Sequence, residues 1–439
     1  MEQINNIFRD DNLYKAAIQA LHGLQSNSNY LKLVTKDNSQ ASAVRKLHDT
    51  KKYLIRSGIT LEKLDTLSVI HIAGTKGKGS TCAYTEAILR EHGFKTGFFS
   101  SPHLVNARER IRISGQPISK IQFTQNFWKI YKKLEDTKEH ESDMPTYFNF
   151  LTILMFNIFL DEHVDVAIIE VGIGGLYDCT NIVRSPVCVG ITSLGLDHTS
   201  LLGNTVEDIA YQKSGIFKSG TVAFSVPQLS PAMRILEEQA IERNSIQMAT
   251  EWLLTRDNVA SVSMDKIAIA LTSCKWPGRM QILRSSIGDF FLDGAHTIES
   301  IECCISWFND ISSGSKGKKI LIFNTSGTRD PIQLLIPLRS LHFYKAYFVP
   351  NLVGVKSLDN EMNSSSTDEQ RIKCEINSKI WGMNSVVANN VLEVLEDIKK
   401  NLKQKDNCER YQILVTGSLH LIGAVLAILD PNLTMNTEF

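Results

Sequence analysis

A loop rich in glycine and lysine is the first feature of this sequence that could do chemistry. It follows an apolar run, precedes a helical pattern, and consists of Gly74, Thr75, Lys76, Gly77, Lys78, Gly79, Ser80 and Thr81. Glycines let backbone N–H groups curl around phosphate oxygens, and the start of a helix adds donors and positive potential. Lys78 could reach the outer phosphates as a point charge, and Ser80 or Thr81 could support Mg²⁺. The loop therefore predicts a site for nucleotide phosphates.

The loop departs from the strict pattern GxxxxGK[ST]. Gly77 and Lys78 are followed by Gly79, and Ile72 stands where the pattern requires the first glycine. The alternative is a glycine-rich turn with two exposed lysines, which the strand before it and the helix after it disfavour. The loop by itself indicates phosphate binding and no particular reaction.

Three polar residues have the same relation to the apolar strands that follow the loop. Glu170 ends the strand VDVAIIE, His198 follows the strand that ends in ITSLG, and Lys213 lies one helix further on. The carboxyl edge of a parallel sheet is where α/β enzymes bind ligands. Glu170 fits a magnesium carboxylate ligand, and His198 is either a ligand or a general base. The alternatives are a helix-capping role for Glu170 and a solvated helix lysine at 213.

A second group of polar residues follows a strand in the last third of the chain. Asp293 and His296 lie directly after the strand DFFLD, and Arg279 precedes that strand. The planar guanidinium of an arginine binds phosphate through two parallel hydrogen bonds, so Arg279 is a candidate phosphate ligand from a second domain. A structural surface arginine is the alternative.

The elements that must position these residues alternate between short β-branched runs and helical stretches. This alternation predicts an α/β protein with parallel sheets covered by helices. Residues 1–277 are predicted to form one domain and residues 278–439 a second one, with a Pro–Gly break in KWPG at the boundary. The polar stretch NSSSTDEQR at 363–371 is predicted to be a surface loop.

Composition limits the class of protein. Lysine plus arginine equals aspartate plus glutamate at 47 each, and this balance argues against nucleic acid as the partner. The eight cysteines form no CxxC pair, which is typical of buried thiols in a reducing compartment. The uncharged stretch 144–160 is predicted to be a buried helix without a membrane span. Residues 1–20 resemble no targeting peptide, so we expect a cytoplasmic protein, with a mitochondrial form as the alternative.

These motifs together resemble the folylpolyglutamate synthase family, in its animal type. Beside the loop, the matching segments are EVGIGGLYDCTN, SLGLDHTSLLGNTVEDIAYQKSGIFK, WPGRMQ, LDGAHT, FNTSGTRDP and LVTGSLHLIG, with ALHGLQSN at 20–27 upstream. They occur in the family's order through nearly the whole chain. The resemblance implies a Mur-ligase-like fold, with an ATP- and folate-binding P-loop domain and a smaller Rossmann-like domain. The active site would lie between the two domains.

The resemblance also implies a reaction and its participants. ATP would phosphorylate the γ-carboxyl of a reduced folate, and L-glutamate would attack the acyl phosphate to give the longer γ-glutamyl chain, ADP and phosphate. Mg²⁺ would be the metal, and the protein would be a monomer. Ser101, Glu170 and His198 resemble the metal ligands, and Lys213 resembles a lysine that can be carbamylated. Arg279 and Asp293 would contact ATP, His296 would lie near the acyl phosphate, and Ser418 would help to hold glutamate.

One region departs from the family pattern. The family carries a histidine followed by glutamine or asparagine, and then Asn-Ala, on the last helix before the second domain, next to the adenine. Here the stretch NVASVSMDKIAIALTSCKWPGR has no histidine, has Lys266 near the expected asparagine, and is shorter. Two alternatives to a folylpolyglutamate synthase are therefore kept. One is a dihydrofolate synthase, and the other is a nucleotide-binding homologue with impaired catalysis.

Overall fold

The fold divides into two compact units in a computed structural model that describes residues 2–24, 40–243, 262–314, 317–325, 330–354, 367–403 and 410–435. Unit 1 comprises Met1–Pro102 and Ala107–Cys274, and unit 2 comprises His103–Asn106 and Lys275–Phe439. The division along the chain falls between Cys274 and Lys275, three residues before the predicted domain boundary. The short segment His103–Asn106 belongs to unit 2 although it lies far from it in sequence.

Unit 1 is built on a seven-stranded sheet whose order is β4-β3-β2-β5-β1-β6-β7. Its strands are β1 (Val69–Ala73), β2 (Thr96–Phe99), β3 (Ile111–Ile113), β4 (Gln116–Pro117), β5 (Val166–Glu170), β6 (Cys188–Ile191) and β7 (Val222–Ser225). The five strands from β2 to β7 in this order are parallel, and β3 and β4 extend the sheet in antiparallel pairing. The carboxyl ends of β1, β5 and β6 therefore meet at one edge of the sheet, which is where the candidate residues are.

Helices cover this sheet, and some of them begin at a residue whose side chain caps the helix. They are α1 (Glu2–Gly23), α2 (Gln40–Ser57), α3 (Leu61–Leu64), α4 (Lys78–Glu91), α5 (Lys120–Asp136), α6 (Tyr147–Asp161), α7 (Thr199–Leu202), α8 (Val206–Ser214), α9 (Ser230–Glu242) and α10 (Met264–Ser273). The α8 helix begins with a capping box, in which the side chains of Thr205 and Asp208 each accept a hydrogen bond from the backbone N–H of the other residue. The α6 helix is buried along nearly its whole length, as predicted for the stretch 144–160.

Unit 2 contains a six-stranded sheet whose order is β12-β11-β10-β13-β9-β8. Its strands are β8 (Gln281–Ser285), β9 (Gly288–Leu292), β10 (Lys319–Phe323), β11 (Lys345–Phe348), β12 (Ser385–Val387) and β13 (Gln412–Thr416). Its helices are α11 (Ile298–Ser312), α12 (Pro331–Leu338), α13 (Thr367–Trp381), α14 (Val391–Lys403) and α15 (Leu419–Leu429). All strands are parallel except β8, which pairs antiparallel with β9.

The two faces of this second sheet bury separate apolar cores. One core joins the sheet to α14 and α15, and the other joins it to α11, α12 and α13. The helices that follow the neighbouring strands β10 and β13 therefore lie on opposite faces. This arrangement opens a crevice at the carboxyl ends of β10 and β13, which is the usual ligand position in an open α/β sheet.

The predicted α/β class with parallel sheets is confirmed. The stretch 363–371 was predicted to be a loop, but α13 begins inside it at Thr367. In the described parts of the chain, no helix combines the length and apolar character that crossing a membrane requires.

Candidate active site

The glycine-rich loop has the conformation that its glycines permit. Gly74 and Gly77 have φ of 154° and 85°, in the region that residues with a side chain rarely adopt. A Cβ at Gly74 would overlap the hydroxyl of Thr192, at the end of β6. Gly77 is the N-cap of α4, so the helix begins at Lys78 as the phosphate-binding interpretation requires.

Lys213 connects α8 with this loop. It is only 4% exposed, and its Nζ donates a hydrogen bond of 2.7 Å to the carbonyl oxygen of Gly74. Burial, reinforced by repulsion from Lys78, lowers the pKa of Lys213 to about 7. The alternative of a solvated helix lysine is therefore wrong. At neutral pH a sizeable fraction of this amine is uncharged.

Glu170 lies at the centre of the contacts on the other side of the loop. Its Oε2 accepts a hydrogen bond of 3.1 Å from the backbone N–H of Ser101, and its Oε1 lies 3.9 Å from Lys78 Nζ. The carboxylate ends β5 and is 5% exposed. None of the described helices has Glu170 as its cap residue, so the capping alternative does not describe it. The structure thus brings Ser101, Glu170 and Lys78 together.

The segment that leads to His198 packs on the glycine-rich loop. The backbone N–H groups of Thr75 and Lys76 donate to the carbonyl oxygen of Ser193, at 2.9 and 3.1 Å. Lys76 also forms an ion pair of 3.2 Å with Asp197. His198 follows with φ of 53°, a left-handed conformation that few residues other than glycine adopt. His198 is exposed and immediately precedes α7.

The donor set of this site fits a hard divalent cation better than a soft one. A carboxylate from Glu170 and a hydroxyl from Ser101 are oxygen ligands of the kind that Mg²⁺ and Mn²⁺ prefer. The described residues contain no cluster of three His, Cys, Asp or Glu side chains that could hold a metal ion. The predicted set has one glutamate and one histidine and depends on a serine and on phosphate oxygens for the remaining ligands.

A second set of candidate residues forms a compact turn in unit 2. The carboxylate of Asp293 accepts hydrogen bonds from the backbone N–H groups of Met280 and Ala295, both at 2.9 Å. Burial raises the pKa of Asp293 in spite of these bonds and the nearby Arg279 guanidinium. His296 Nδ1 lies 2.9 Å from the carbonyl oxygen of Gly294. A carbonyl only accepts, so the proton of the neutral imidazole is on Nδ1.

Ser418 lies at the crevice between β10 and β13. It is the N-cap of α15 and is 1% exposed, and its Oγ has no hydrogen-bond partner within the part of the chain that the structure describes. Asn324, at the end of β10, is also fully buried, and its Oδ1 likewise finds no partner among the described residues. Its Nδ2 donates to Asn351 Oδ1 at 3.1 Å. Sequence reasoning assigned no role to Asn324 or Asn351, although both end apolar strand segments.

The helix that departs from the family pattern is α10. Its N-cap is Ser263, Lys266 is exposed, and Ala270 is its one fully buried residue. Residues 258–261 of the departing stretch lie outside the described residues, as do residues 25–27 of ALHGLQSN and residues 326–329 of FNTSGTRDP.

Relatives of known name share much of this sequence. No protein-family model matches the chain. The mitochondrial folylpolyglutamate synthase of Bos taurus is 37% identical over 96% of this chain and 93% of its own length. The corresponding human protein is 41% identical over 84% of this chain and 73% of its own length. The chain belongs to the folylpolyglutamate synthase family.

The family's fold is also that of this chain. A bifunctional folylpolyglutamate synthase/dihydrofolate synthase from Yersinia pestis, complexed with AMPPNP and Mn ion, matches with a TM-score of 0.67 at 24% identity. The match covers 87% of this chain and 93% of that chain. The predicted family fold is therefore confirmed. The alignment with the bovine folylpolyglutamate synthase spans 546 positions against 439 residues here, so that relative has segments that this chain lacks.

Proposed function

We propose that this folylpolyglutamate synthase relative is an ATP-dependent ligase that joins L-glutamate to the γ-carboxyl of a reduced folate. The products are the folate with one more γ-linked glutamate, ADP and phosphate. The observation that carries the proposal is the contact set around the glycine-rich loop. Two lysines and one carboxylate converge there, through Lys213 on Gly74 and Glu170 on both Ser101 and Lys78.

This contact set suits the first half of the reaction. A carboxylate is a poor acyl donor, so the folate carboxyl oxygen attacks the γ-phosphorus of ATP, and the bond to the β-phosphate oxygen breaks. The transferring phosphoryl group is negatively charged and is stabilised mainly by positioned positive groups. Lys78 and the free N–H groups at the start of α4 supply such groups. The acyl phosphate then loses phosphate when the amine of glutamate attacks its carbonyl carbon.

Ser101, Glu170 and His198 are the proposed ligands of a divalent cation, which we take to be Mg²⁺. When bound, the ion would neutralise phosphate charge during transfer. The oxygen donors of Ser101 and Glu170 are suited to it, and Glu170 is already ordered by the Ser101 N–H. His198 is the less usual ligand of the three, and general-base action is the alternative role for it.

Lys213 is proposed to be carbamylated. Its lowered pKa leaves a neutral amine available near pH 7. A neutral amine adds to CO₂, forming an N–C bond and releasing one proton, which converts the lysine into an anion. Such an anion would attract Lys78, whereas the charged amine of Lys213 is repelled by it. The uncharged amine is therefore the state that the site requires before modification.

The turn in unit 2 is proposed to serve the nucleotide and the incoming glutamate. Arg279 and Asp293 are assigned to ATP, and His296 to the acyl phosphate. Ser418 is assigned to glutamate. Support for the last assignment comes from the crevice at β10 and β13, where Ser418 Oγ and Asn324 Oδ1 are buried polar atoms that a bound amino acid could satisfy.

An acceptor assay tests the proposal directly. Purified protein is given ATP, MgCl₂ and L-glutamate with either tetrahydrofolate or dihydropteroate, and the products are separated by mass. We expect addition of one or more glutamates to tetrahydrofolate. Product from dihydropteroate alone would identify a dihydrofolate synthase. A protein that binds nucleotide but ligates glutamate to neither acceptor would be an impaired homologue. The altered α10 region is the reason for keeping this alternative.

Two further expectations stay predictions. A cytoplasmic location is the first, with a mitochondrial form as the alternative, and the bovine and human relatives are named as mitochondrial. A monomeric state is the second, and sedimentation of the purified protein would test it.

A further inference from the structure

A buried turn between β5 and β6 connects the segments that carry the candidate residues. The 3₁₀ helix Cys179–Ile182 begins at Asp178, whose side chain caps it. Asp178, Thr180 and Asn181 are all less than 10% exposed. Each of these side chains binds a different neighbouring segment, and none of them belongs to the predicted site. We call the four residues 178–181 the connecting turn.

Two of its side chains form a chain of hydrogen bonds to the strand before the glycine-rich loop. Thr180 Oγ1 donates to Asp178 Oδ1 at 2.6 Å, and Asp178 Oδ2 accepts from the backbone N–H of Ile173. The hydroxyl of Thr180 has one hydrogen, so it accepts from His71 Nε2 at 2.8 Å. The turn thereby ties β1 to the glycine-rich segment after Glu170.

Asn181 binds a third segment, the end of the helix that carries Lys213. Its Nδ2 donates to the carbonyl oxygen of Leu176 at 3.0 Å and to that of Gly215 at 3.1 Å. One amide group thus bridges the segment after Glu170 and the last turn of α8. Both acceptors are backbone carbonyls, so a side chain that donates twice is needed between them.

The two bridged segments are in very close backbone contact. Leu176 N–H donates to the carbonyl oxygen of Gln212 at 2.7 Å. A Cβ at Gly175 would lie 2.7 Å from the Lys213 carbonyl oxygen, and a Cβ at Gly215 would overlap Leu176 Cα. Any separation of these segments would move Lys213 directly, because its own backbone forms the contact.

We infer that Asn181 is a positioning residue for Lys213. By holding the Leu176 and Gly215 carbonyls at one nitrogen, it fixes α8 against the segment that follows Glu170. This contact sets where Lys213 Nζ lies relative to Gly74 and Glu170. The inference rests on the proposed role of Lys213 in the ligase reaction.

The test compares Asn181→Ala with a matched variant, Asn157→Ala. Asn157 is 7% exposed in the same unit, and its Nδ2 also donates twice, to Ser57 Oγ and to the Ile153 carbonyl. The two variants lose the same number of buried bonds, but those of Asn157 go to Ser57 and Ile153 and to no candidate residue. Asn181→Ser, which retains one donor, is the second variant and replaces Asn181→Ala if the latter does not fold.

Two measurements are made on the full-length protein. The first is kcat and KM of glutamate ligation, corrected for the folded fraction. The second is hydrogen–deuterium exchange of the peptides that cover 172–178 and 209–216. For Asn181→Ala we expect kcat to fall about 10- to 100-fold with KM for ATP and folate nearly unchanged, because a small displacement of a reacting group has effects of that order. Both peptides should exchange faster. Asn157→Ala should change neither quantity at these sites.

The possible results distinguish a failure of the positioning role of Asn181 from a failure of the proposed ligase activity. Faster exchange with unchanged kcat would overturn the positioning role, and so would unchanged exchange in both peptides. An equal loss of kcat in Asn157→Ala would show a general effect of destabilisation and would also overturn it. If the wild-type protein ligates glutamate to no folate, the proposed function fails. The exchange measurement then still reports whether Asn181 holds α8 in place.

Discussion

Lys213 Nζ donates a hydrogen bond of 2.7 Å to the carbonyl oxygen of Gly74, a residue 139 positions earlier in the chain. The contact joins the end of α8 to the first glycine of the phosphate loop. The Lys213 ammonium is 4% exposed and donates to a backbone carbonyl, which makes up for little of the hydration lost on burial. The pKa of Lys213 is therefore lowered to about 7. A lysine with only a structural role would seldom be kept buried at this cost in stability. We therefore take the contact as support for a functional role of Lys213.

Replacement of Lys213 by methionine should abolish most of the activity while the fold is retained. Methionine fills a similar volume without the amine, so we expect kcat to fall at least about 100-fold, in the range found when a positioned charge is lost. Lys218→Met is the control. Lys218 follows the end of α8, and burial lowers its pKa to about 8. Equal losses in both variants, measured as ligation rate per folded protein, would contradict the assignment.

Replacement of Glu170 by glutamine should weaken the response to metal more than the binding of folate. The amide keeps the shape of the side chain but removes the charge that a hard cation prefers. We expect the Mg²⁺ concentration for half-maximal activity to rise about 10-fold or more, because loss of a ligand or its partner has effects of that order. Titration of wild type and variant with MgCl₂ measures this. An unchanged Mg²⁺ dependence would remove Glu170 from the proposed ligands.

Acid should destabilise this protein in part through His71. Burial, together with the nearby Lys218, lowers the pKa of His71 to about 3. Between about pH 6.5 and pH 3 the unfolded chain binds a proton at this residue and the folded protein does not. Stability attributable to His71 therefore falls with decreasing pH, by up to about 1.4 kcal/mol per pH unit.

His71→Gln isolates this contribution. Glutamine has an amide donor for Thr180 and does not titrate, so the free energy of unfolding of the variant should depend less steeply on pH between 6 and 4. Urea unfolding at several pH values gives both slopes. His140→Gln, at an exposed histidine, is the control. Identical slopes in wild type and His71→Gln would show that His71 is not kept neutral by the fold.

The sequence predicted correctly that some of the candidate residues lie at the ends of strands. Apolar runs that end in Glu170 or Asp293 indicate a sheet edge, because alternation of strands and helices makes the sheet parallel. The burial of Lys213 could not be predicted, since the sequence around it is that of an ordinary amphipathic helix. Its burial depends on Gly175 and Leu176, which only the fold brings against α8.

The α13 helix shows a different limit. Its start was predicted to be a loop because NSSSTDEQR is polar throughout. The buried positions of the helix include Gln370, Cys374 and Asn377, which follow helical spacing, but two of them are polar. The buried face therefore shows no hydrophobic period, whereas Ile372 and Ile376, which are four residues apart, are exposed. The acidic residues of the first turn could have indicated the start of this helix, because negative charge stabilises the amino end of a helix.

Asp143 should contribute strongly to the stability of unit 1. Its side chain is 1% exposed and contacts Lys52, Arg56 and Tyr53. Burial would raise the pKa of this carboxyl, but hydrogen bonds from Arg56 and Lys52 outweigh that effect and lower it below its usual range. The contribution is thus present above about pH 4 and is lost as pH falls through the lowered pKa.

Asp143→Asn should lower the free energy of unfolding by about 3 kcal/mol at pH 7, because two cations then lose a buried partner. Asp161→Asn is the comparison, since Asp161 pairs with Lys129 at 3.0 Å but is 48% exposed. Its loss should cost less than about 1 kcal/mol. Urea unfolding at pH 7 measures both changes. Similar small losses in the two variants would show that the Asp143 cluster behaves as a surface ion pair.

Ser418→Ala should affect glutamate more than the other substrates. If Ser418 Oγ binds glutamate, its removal leaves a polar group of the substrate unpaired in a buried place, which costs on the order of 1.4 kcal/mol and raises KM for glutamate about 10-fold. KM for ATP and folate should stay nearly constant. Ser312→Ala is a matched control, because Ser312 Oγ is also buried in unit 2 without a partner among the described residues. Ser312 ends α11, and its carbonyl accepts from Gln412, the first residue of β13. A rise in KM for all three substrates, or the same rise in Ser312→Ala, would place glutamate elsewhere than at the β10–β13 crevice.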